Sequence, residues 1–242
     1  MTETNLVTPE LLKDIDRINA DCIRNHLPPP PFVTVRLEIA DIGTGEIEHI
    51  HTEQAHSFTR NWYNFFGGFC GGMSSVGGSV WGAGYISSKA TNASIVAVTP
   101  TQNNSLYITA ANNTCFAGIV NNSTYGIVIG TGTDAESFES YALGAQIAHG
   151  TSAGQMSHAA SVYTNTAYDS GTKTYTQVFS RVFSNTSGGT IVVAETGMIT
   201  RITVNGTAHL SLVERNLLGS TASVDNGQKI TVTYTLTLAF PA

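Results

Sequence analysis

Lys229-Ile-Thr-Val-Thr-Tyr234-Thr-Leu-Thr-Leu-Ala-Phe240 is the clearest segment of the chain. Ile230, Val232, Tyr234, Leu236, Leu238 and Phe240 face one way, and Thr231, Thr233, Thr235 and Thr237 face the other. Successive strand residues point to opposite faces, so this pattern is a strand with one buried face. Working outward, strands are expected over 208–215, 190–204 and 174–184, with turns at Asp225-Asn226-Gly227, Asn205-Gly206 and Ser187-Gly188-Gly189. Shorter strands follow at 155–163, 141–148, 105–110 and 94–98, and a buried apolar run spans 126–130. Many short strands with frequent turns define an all-β fold. The expected architecture is an antiparallel β-sandwich, jelly-roll-like, carrying a short N-terminal helix and an extended arm.

Composition agrees. The chain has 242 residues, of which 41% are apolar and only 12% charged, about half the usual charged share. That is enough apolar material for a core and too little charge for a coiled coil. A net charge of -6 argues against a nucleic-acid partner. The start, MTETNLVTPELLKDID, has no basic segment leading into an apolar one, and no window has the length of a membrane helix. Cys22, Cys70 and Cys115 are odd in number and scattered, which points to free thiols in a reducing cytoplasm. Asn-x-Ser/Thr triplets, beginning at Asn92, Asn103, Asn112, Asn121, Asn122, Asn185 and Asn205, read as polar loops.

Charge is unevenly spread. Residues 1–60 hold 5 basic and 10 acidic side chains, net -5; residues 61–242 hold 6 and 7, net -1. The expected division is a docking arm over 1–60 and a β body over 61–242. In the arm, Thr8-Pro9-Glu10 opens a helix with Leu11, Leu12, Ile15, Ile18 and Cys22 on one stripe. The prolines at 28–31 end it as a stiff spacer. A hairpin follows, 32–39 returning over 46–52 through Asp41-Ile42-Gly43-Thr44-Gly45. Residues 58–66 hold five aromatics, expected as a short helix or turn anchoring the arm. The glycine-rich 67–84 reads as a loop lying against another surface.

Chemistry is sparse. The glycine-rich stretch contains no Lys, and Gly130-Thr131-Gly132 lacks the third glycine of a dinucleotide site. No Gly-x-Ser-x-Gly elbow occurs. Asp134, Glu136 and Glu139 are a carboxylate cluster of the kind that hydrolyses glycosides, but a solvated acidic loop is the better reading. His49 and His51 are the metal candidates: two apart on a strand they share a face, and three such pairs about a threefold axis offer six imidazoles to a transition metal. The competing reading is two histidines on an acidic edge strand. His149, His158 and His209 read as satisfied structural histidines. Arg181 sits between Phe179 and Phe183, with Glu195 as its candidate ion-pair partner. No catalytic residue and no cofactor are assigned.

Three stretches resemble structural proteins of tailed bacteriophages. They are Gly126-Ile-Val-Ile-Gly-Thr-Gly-Thr through Tyr141-Ala-Leu-Gly-Ala-Gln-Ile-Ala-His-Gly150; Phe179-Ser-Arg-Val-Phe-Ser-Asn-Thr-Ser-Gly-Gly-Thr-Ile-Val-Val-Ala-Glu195-Thr-Gly197; and Leu212-Val-Glu-Arg-Asn-Leu-Leu-Gly219 with Val224-Asp-Asn-Gly-Gln-Lys-Ile-Thr-Val-Thr-Tyr234. The resemblance implies a non-enzymatic virion component assembled in the bacterial host cytoplasm, in a tail, neck or fibre position ahead of capsid decoration. It implies a homo-oligomer, a trimer first, packed with other virion proteins, with no nucleic acid and no membrane as partner. The rival is a receptor- or carbohydrate-binding module, with Tyr85, Tyr107, Tyr125, Tyr163 and Tyr168 as sugar-stacking candidates for a host-surface glycan.

Overall fold

The computed structural model describes residues 2–5, 17, 32–55, 57–71, 87–97, 116–165, 168–171, 173–204 and 207–239. The expected N-terminal helix (Arg17 apart, which is helical), the proline spacer, the strand at 105–110 and most of the glycine-rich stretch lie outside the described residues.

The described chain is all-β, with a helix at Arg60–Gly71 besides the helical Arg17. In order come β1 (Thr2–Asn5), β2 (Phe32–Asp41), β3 (Ile47–Gln54), α1 (Arg60–Gly71), β4 (Ser87–Lys89), β5 (Ile95–Ala97) and β6 (Gly126–Gly130). Then follow β7 (Ser157–His158), β8 (Val162–Asn165), β9 (Thr174–Ser184), β10 (Ile191–Val204), β11 (Thr207–Val224) and β12 (Gln228–Ala239). A seven-stranded sheet runs β1-β3-β2-β12-β9-β7, with β8 also on β9; a three-stranded sheet runs β11-β10-β6, and β4 pairs with β5. All described pairs are antiparallel except β1 with β3.

β12 is the centre of the large sheet. Ile230, Val232 and Tyr234 lie opposite Ile39, Leu37 and Val35 of β2 on one side, and opposite Phe183, Arg181 and Phe179 of β9 on the other. Their shared face joins β6, β10 and β11 in one core, with Ile127, Ile129, Val193, Met198, Val213 and Val224. The threonine face is half-buried. The smaller sheet is covered on both faces. Ile127 and Ile129 enter the shared core, while Val128 joins a second cluster with Tyr125, Leu143, Ile199 and Leu212. That is why β6 reads as an unbroken apolar run instead of an alternating one.

The division at residue 60 does not survive. The hairpin assigned to a docking arm is β2 and β3, inside the large sheet, and Val33, Val35, Leu37 and Ile39 are core. Its acidic excess has a local cause: the turn and strand ends carrying Glu46 and Glu48 are exposed, and Arg36 and Glu38 pair with each other 2.8 Å apart. The aromatic segment becomes α1, with Phe58, Trp62 and Phe65 packed on the core. Residues 141–148 are a loop, joined to the sheet at Gln146 by an isolated bridge to Gly130.

A chain beginning at Ser57 lacks two strands of the core sheet and is expected to show no cooperative unfolding transition. Within the full chain, Leu37→Ala should cost about 2–5 kcal/mol, and Thr235→Ala less than about 1 kcal/mol. Urea midpoints of the two variants check the difference.

Candidate functional site

Two polar clusters occupy the smaller sheet, one on each face. On the outer face, the Glu195 carboxylate is completely buried. Its Oε1 accepts the N–H groups of Gly132 at 3.1 Å and Ala145 at 2.9 Å. Its Oε2 accepts the N–H of Gly144 at 3.1 Å and Arg215 Nε–H at 2.7 Å. Arg215 then donates to the carbonyls of Asp134 at 2.9 Å and Ala135 at 3.3 Å. One ion pair therefore fastens the loop over 131–145 at both ends. A Cβ at Gly130 or Gly132 would run into Glu195 Oε1. The Gly-Thr-Gly run is thus a cradle for an internal carboxylate, where only a bare backbone approaches closely enough.

Arg181 does not pair with Glu195. Its guanidinium is buried and gives all five N–H groups to backbone carbonyls: Ala159 at 2.8 Å, Tyr125 at 3.1 Å, Ile127 at 2.9 Å, Ile119 at 3.0 Å, and Asn122. Burial lowers its pKa to about 10, so it remains a cation at neutral pH. Arg181 organises the chain from 119 to 127 as Arg215 organises the loop after it.

The inner cluster joins the two sheets. Tyr234 of β12 donates its O–H to Glu214 Oε2 of β11 at 2.8 Å and lies 2.7 Å from Thr196 Oγ1 of β10. Beside them, Glu53 of β3 accepts from Asn216 Nδ2 and from the Gly219 N–H at 3.0 Å, and its Oε2 lies 2.7 Å from His51 Nε2. A bulge aims these groups. Met198 pairs with Glu214 and Ile199 with Leu212, leaving Val213 as the extra residue of β11. Val213 and Glu214 thereby both serve the inner side, and Arg215 and Asn216 resume the alternation.

The histidines divide by environment. His51 is buried against Glu53, whereas His49 is half-buried. A metal shared on an axis needs both imidazoles at a subunit surface, and His51 is inside. Among the described residues no three His, Cys, Asp or Glu side chains gather as a metal site. His149 Nδ1 accepts the His158 backbone N–H at 3.1 Å. His158 differs from the satisfied histidine expected: among the described residues neither buried ring nitrogen has a hydrogen bond of good geometry, the Asn122 backbone being a weak partner, and the ring lies edge-on to Phe183 at 4.9 Å. Burial first, and then the Arg181 charge, push its pKa down to about 4.

The acidic loop is only partly solvated. Glu136 binds Ser57 Oγ and the Leu217 N–H, and Glu139 pairs with Arg60, while Asp134 is exposed. Of the tyrosines, Tyr125 is buried, Tyr163 and Tyr168 are about half exposed, and Tyr85 and Tyr107 lie outside the described residues. An exposed aromatic pair not singled out in the sequence is Tyr63 and Phe138, with ring centroids 5.5 Å apart and Arg60 over the Phe138 ring. Phe138 carries no local signal of this role, because its partner lies 75 residues away in sequence.

Chemically, Glu214, Glu53, His51 and Tyr234 are an acid–base set, but each is 5% exposed or less. They meet one another and the backbone. Comparison with known protein families, with curated proteins and with solved structures found no match.

Two outcomes are expected. Arg215→Ala leaves a buried carboxylate uncompensated and should cost about 3–5 kcal/mol. Glu195→Gln with Arg215→Met should recover part of it, as read from urea midpoints. His158 resists protonation in the folded chain, while the unfolded chain takes the proton below about 6.5. Its contribution is complete above that value and is lost as pH falls toward about 4. The acid-side decline in melting temperature should be shallower in His158→Leu; parallel profiles would refute this.

Proposed function

We propose that the chain is a non-enzymatic structural component of a bacteriophage particle, its β body a jelly-roll-like sandwich packed symmetrically, as a trimer, against its own copies and other virion proteins. A tail, neck or fibre position is preferred to capsid decoration. The observation that carries the reading is how the described charge is spent. Glu195, Arg215, Arg181 and Glu53 are buried and bonded to loop backbone or to each other, which is the chemistry of a rigid scaffold. The outer face of the large sheet carries the half-buried threonines of β12, and the Arg36 and Glu38 of β2 there pair with each other. Such a face suits close subunit packing, because charge is costly to bury. The resemblance of the three stretches to tailed-phage structural proteins supplies the particle.

A receptor- or carbohydrate-binding module is the second reading, favoured by the exposed Tyr63–Phe138 pair. Aromatic faces stack on the apolar faces of sugars, and the neighbouring Arg60–Glu139 pair offers hydrogen bonds to hydroxyls.

Mass spectrometry of purified particles, resolved into heads and tails, is expected to find the chain in the tail fraction at a multiple of three copies. Absence from particles would overturn the proposal. Glycan-array binding abolished by Tyr63→Ala with Phe138→Ala would favour the module instead.

A further inference from the structure

The two sheets meet through a carboxyl group in an unusual setting. Glu214 is completely buried, and its Oε2 takes the Tyr234 O–H at 2.8 Å, while its Oε1 has no partner among the described residues. The charged groups that act on it are of its own sign: Glu136 on the loop and Glu53 on β3. Among the described residues, the cations of the neighbouring elements are engaged elsewhere. His51 of β3 is turned to Glu53; Arg215 of β11 is bonded to Glu195 on the opposite face; Arg181 of β9 is bonded to carbonyls; and Arg60 of α1 is paired with Glu139. The remaining facing groups, Thr196 of β10, Asn216 of β11 and Tyr234 of β12, are neutral. An ionised carboxylate here would be buried, uncompensated and repelled by two others.

We propose that buried Glu214 is a proton-operated latch between the two sheets, closed while the neutral acid sits between them. When a base in solution removes its proton, the carboxylate left behind is buried and uncompensated, a cost that the one Tyr234 hydrogen bond does not offset, so the sheets part. Contacts on both sides of the molecule depend on the closed state. Tyr234 is central to the large sheet, Glu214 is paired with Met198 beside the β11 bulge, and the isolated bridge of Phe58 to Glu214 ties in the segment leading to α1. Burial raises the Glu214 pKa well above its ordinary 4.5, against the lowering effect of the Tyr234 hydrogen bond, and burial likewise raises that of Tyr234.

The sign follows from linkage. The unfolded chain releases this proton above about 4.5, and the folded chain holds it. The folding equilibrium constant therefore falls about tenfold for each pH unit between the unfolded and folded values, one proton's worth. The latch is tightest at acid pH and is lost as pH rises.

The test compares urea unfolding of the full chain and of Glu214→Gln over a pH series. The variant keeps an acceptor for Tyr234 but has nothing to titrate. The expected result is a wild-type constant that falls relative to the variant by about tenfold per pH unit from about 4.5 upward. Parallel profiles would overturn the proposal. If the variant does not fold, infrared spectroscopy of wild-type chain with isotope-labelled glutamate decides. A protonated-carboxyl band present at neutral pH and lost in alkali together with the folded signal supports the latch. Absence of that band at neutral pH overturns it.

Discussion

The Glu195–Arg215 ion pair is the contact on which the smaller sheet depends. Such a pair adds little net stability, because desolvating two charges consumes most of what their attraction returns. Its effect lies in geometry. The carboxylate has its lone pairs filled by three backbone N–H groups and one guanidinium N–H. The loop over 131–145 therefore has one place to lie, across the outer face of β6 and β10. Leu143 is carried with it onto Val128, Ile199 and Leu212, closing the second cluster. Without the pair, that face of the sheet would be an exposed apolar surface.

The same economy recurs throughout. A chain with so few charges places Arg181, Arg215, Glu53, Glu195 and Glu214 inside. Each cation is given a specific set of oxygens, which fixes irregular backbone where strand pairing cannot. Arg181 gathers five carbonyls from residues 119 to 159, a stretch containing only the short β6 and β7. Arg215 and Glu195 do this for the next loop. Hydrogen bonds to charged groups are the stronger class, and here they replace a ladder.

Much of this was legible in residue patterns, and the rest was not, for a physical reason. Period-two alternation gave β9 over 174–184 and β12 within a residue at either end, because each has one face in the core. Residues 141–148 looked like a strand because Leu143 and Ile147 are buried. Yet the Gly144 and Ala145 N–H groups are claimed by Glu195, and a donor given to a side chain cannot also serve a ladder. Membership of β2 and β3 in the core was hidden by the charge of their exposed turn. The partner of Glu195 was hidden too: Arg181 and Arg215 sit at similar distances along the chain, and only the pairing separates them, since β11 lies beside β10 while β9 belongs to the other sheet. Gly130-Thr131-Gly132 did announce a close approach, but not of what.

The position of β12 also sets the order in which the molecule can be completed. β2 and β9, more than 130 residues apart in sequence, do not pair with each other; β12 lies between them and pairs with both. During synthesis the large sheet thus exists as two separate halves, with the inward faces of Leu37, Ile39 and Phe183 uncovered, until residues 228–239 leave the ribosome. Local hairpins such as β2–β3 and β10–β11 form early, whereas closure waits for the most distant contacts, which are the slowest to find. A nascent chain of this design carries the open edge of β2 through most of its synthesis and that of β9 from residue 184 onward, and β12 seals both at once.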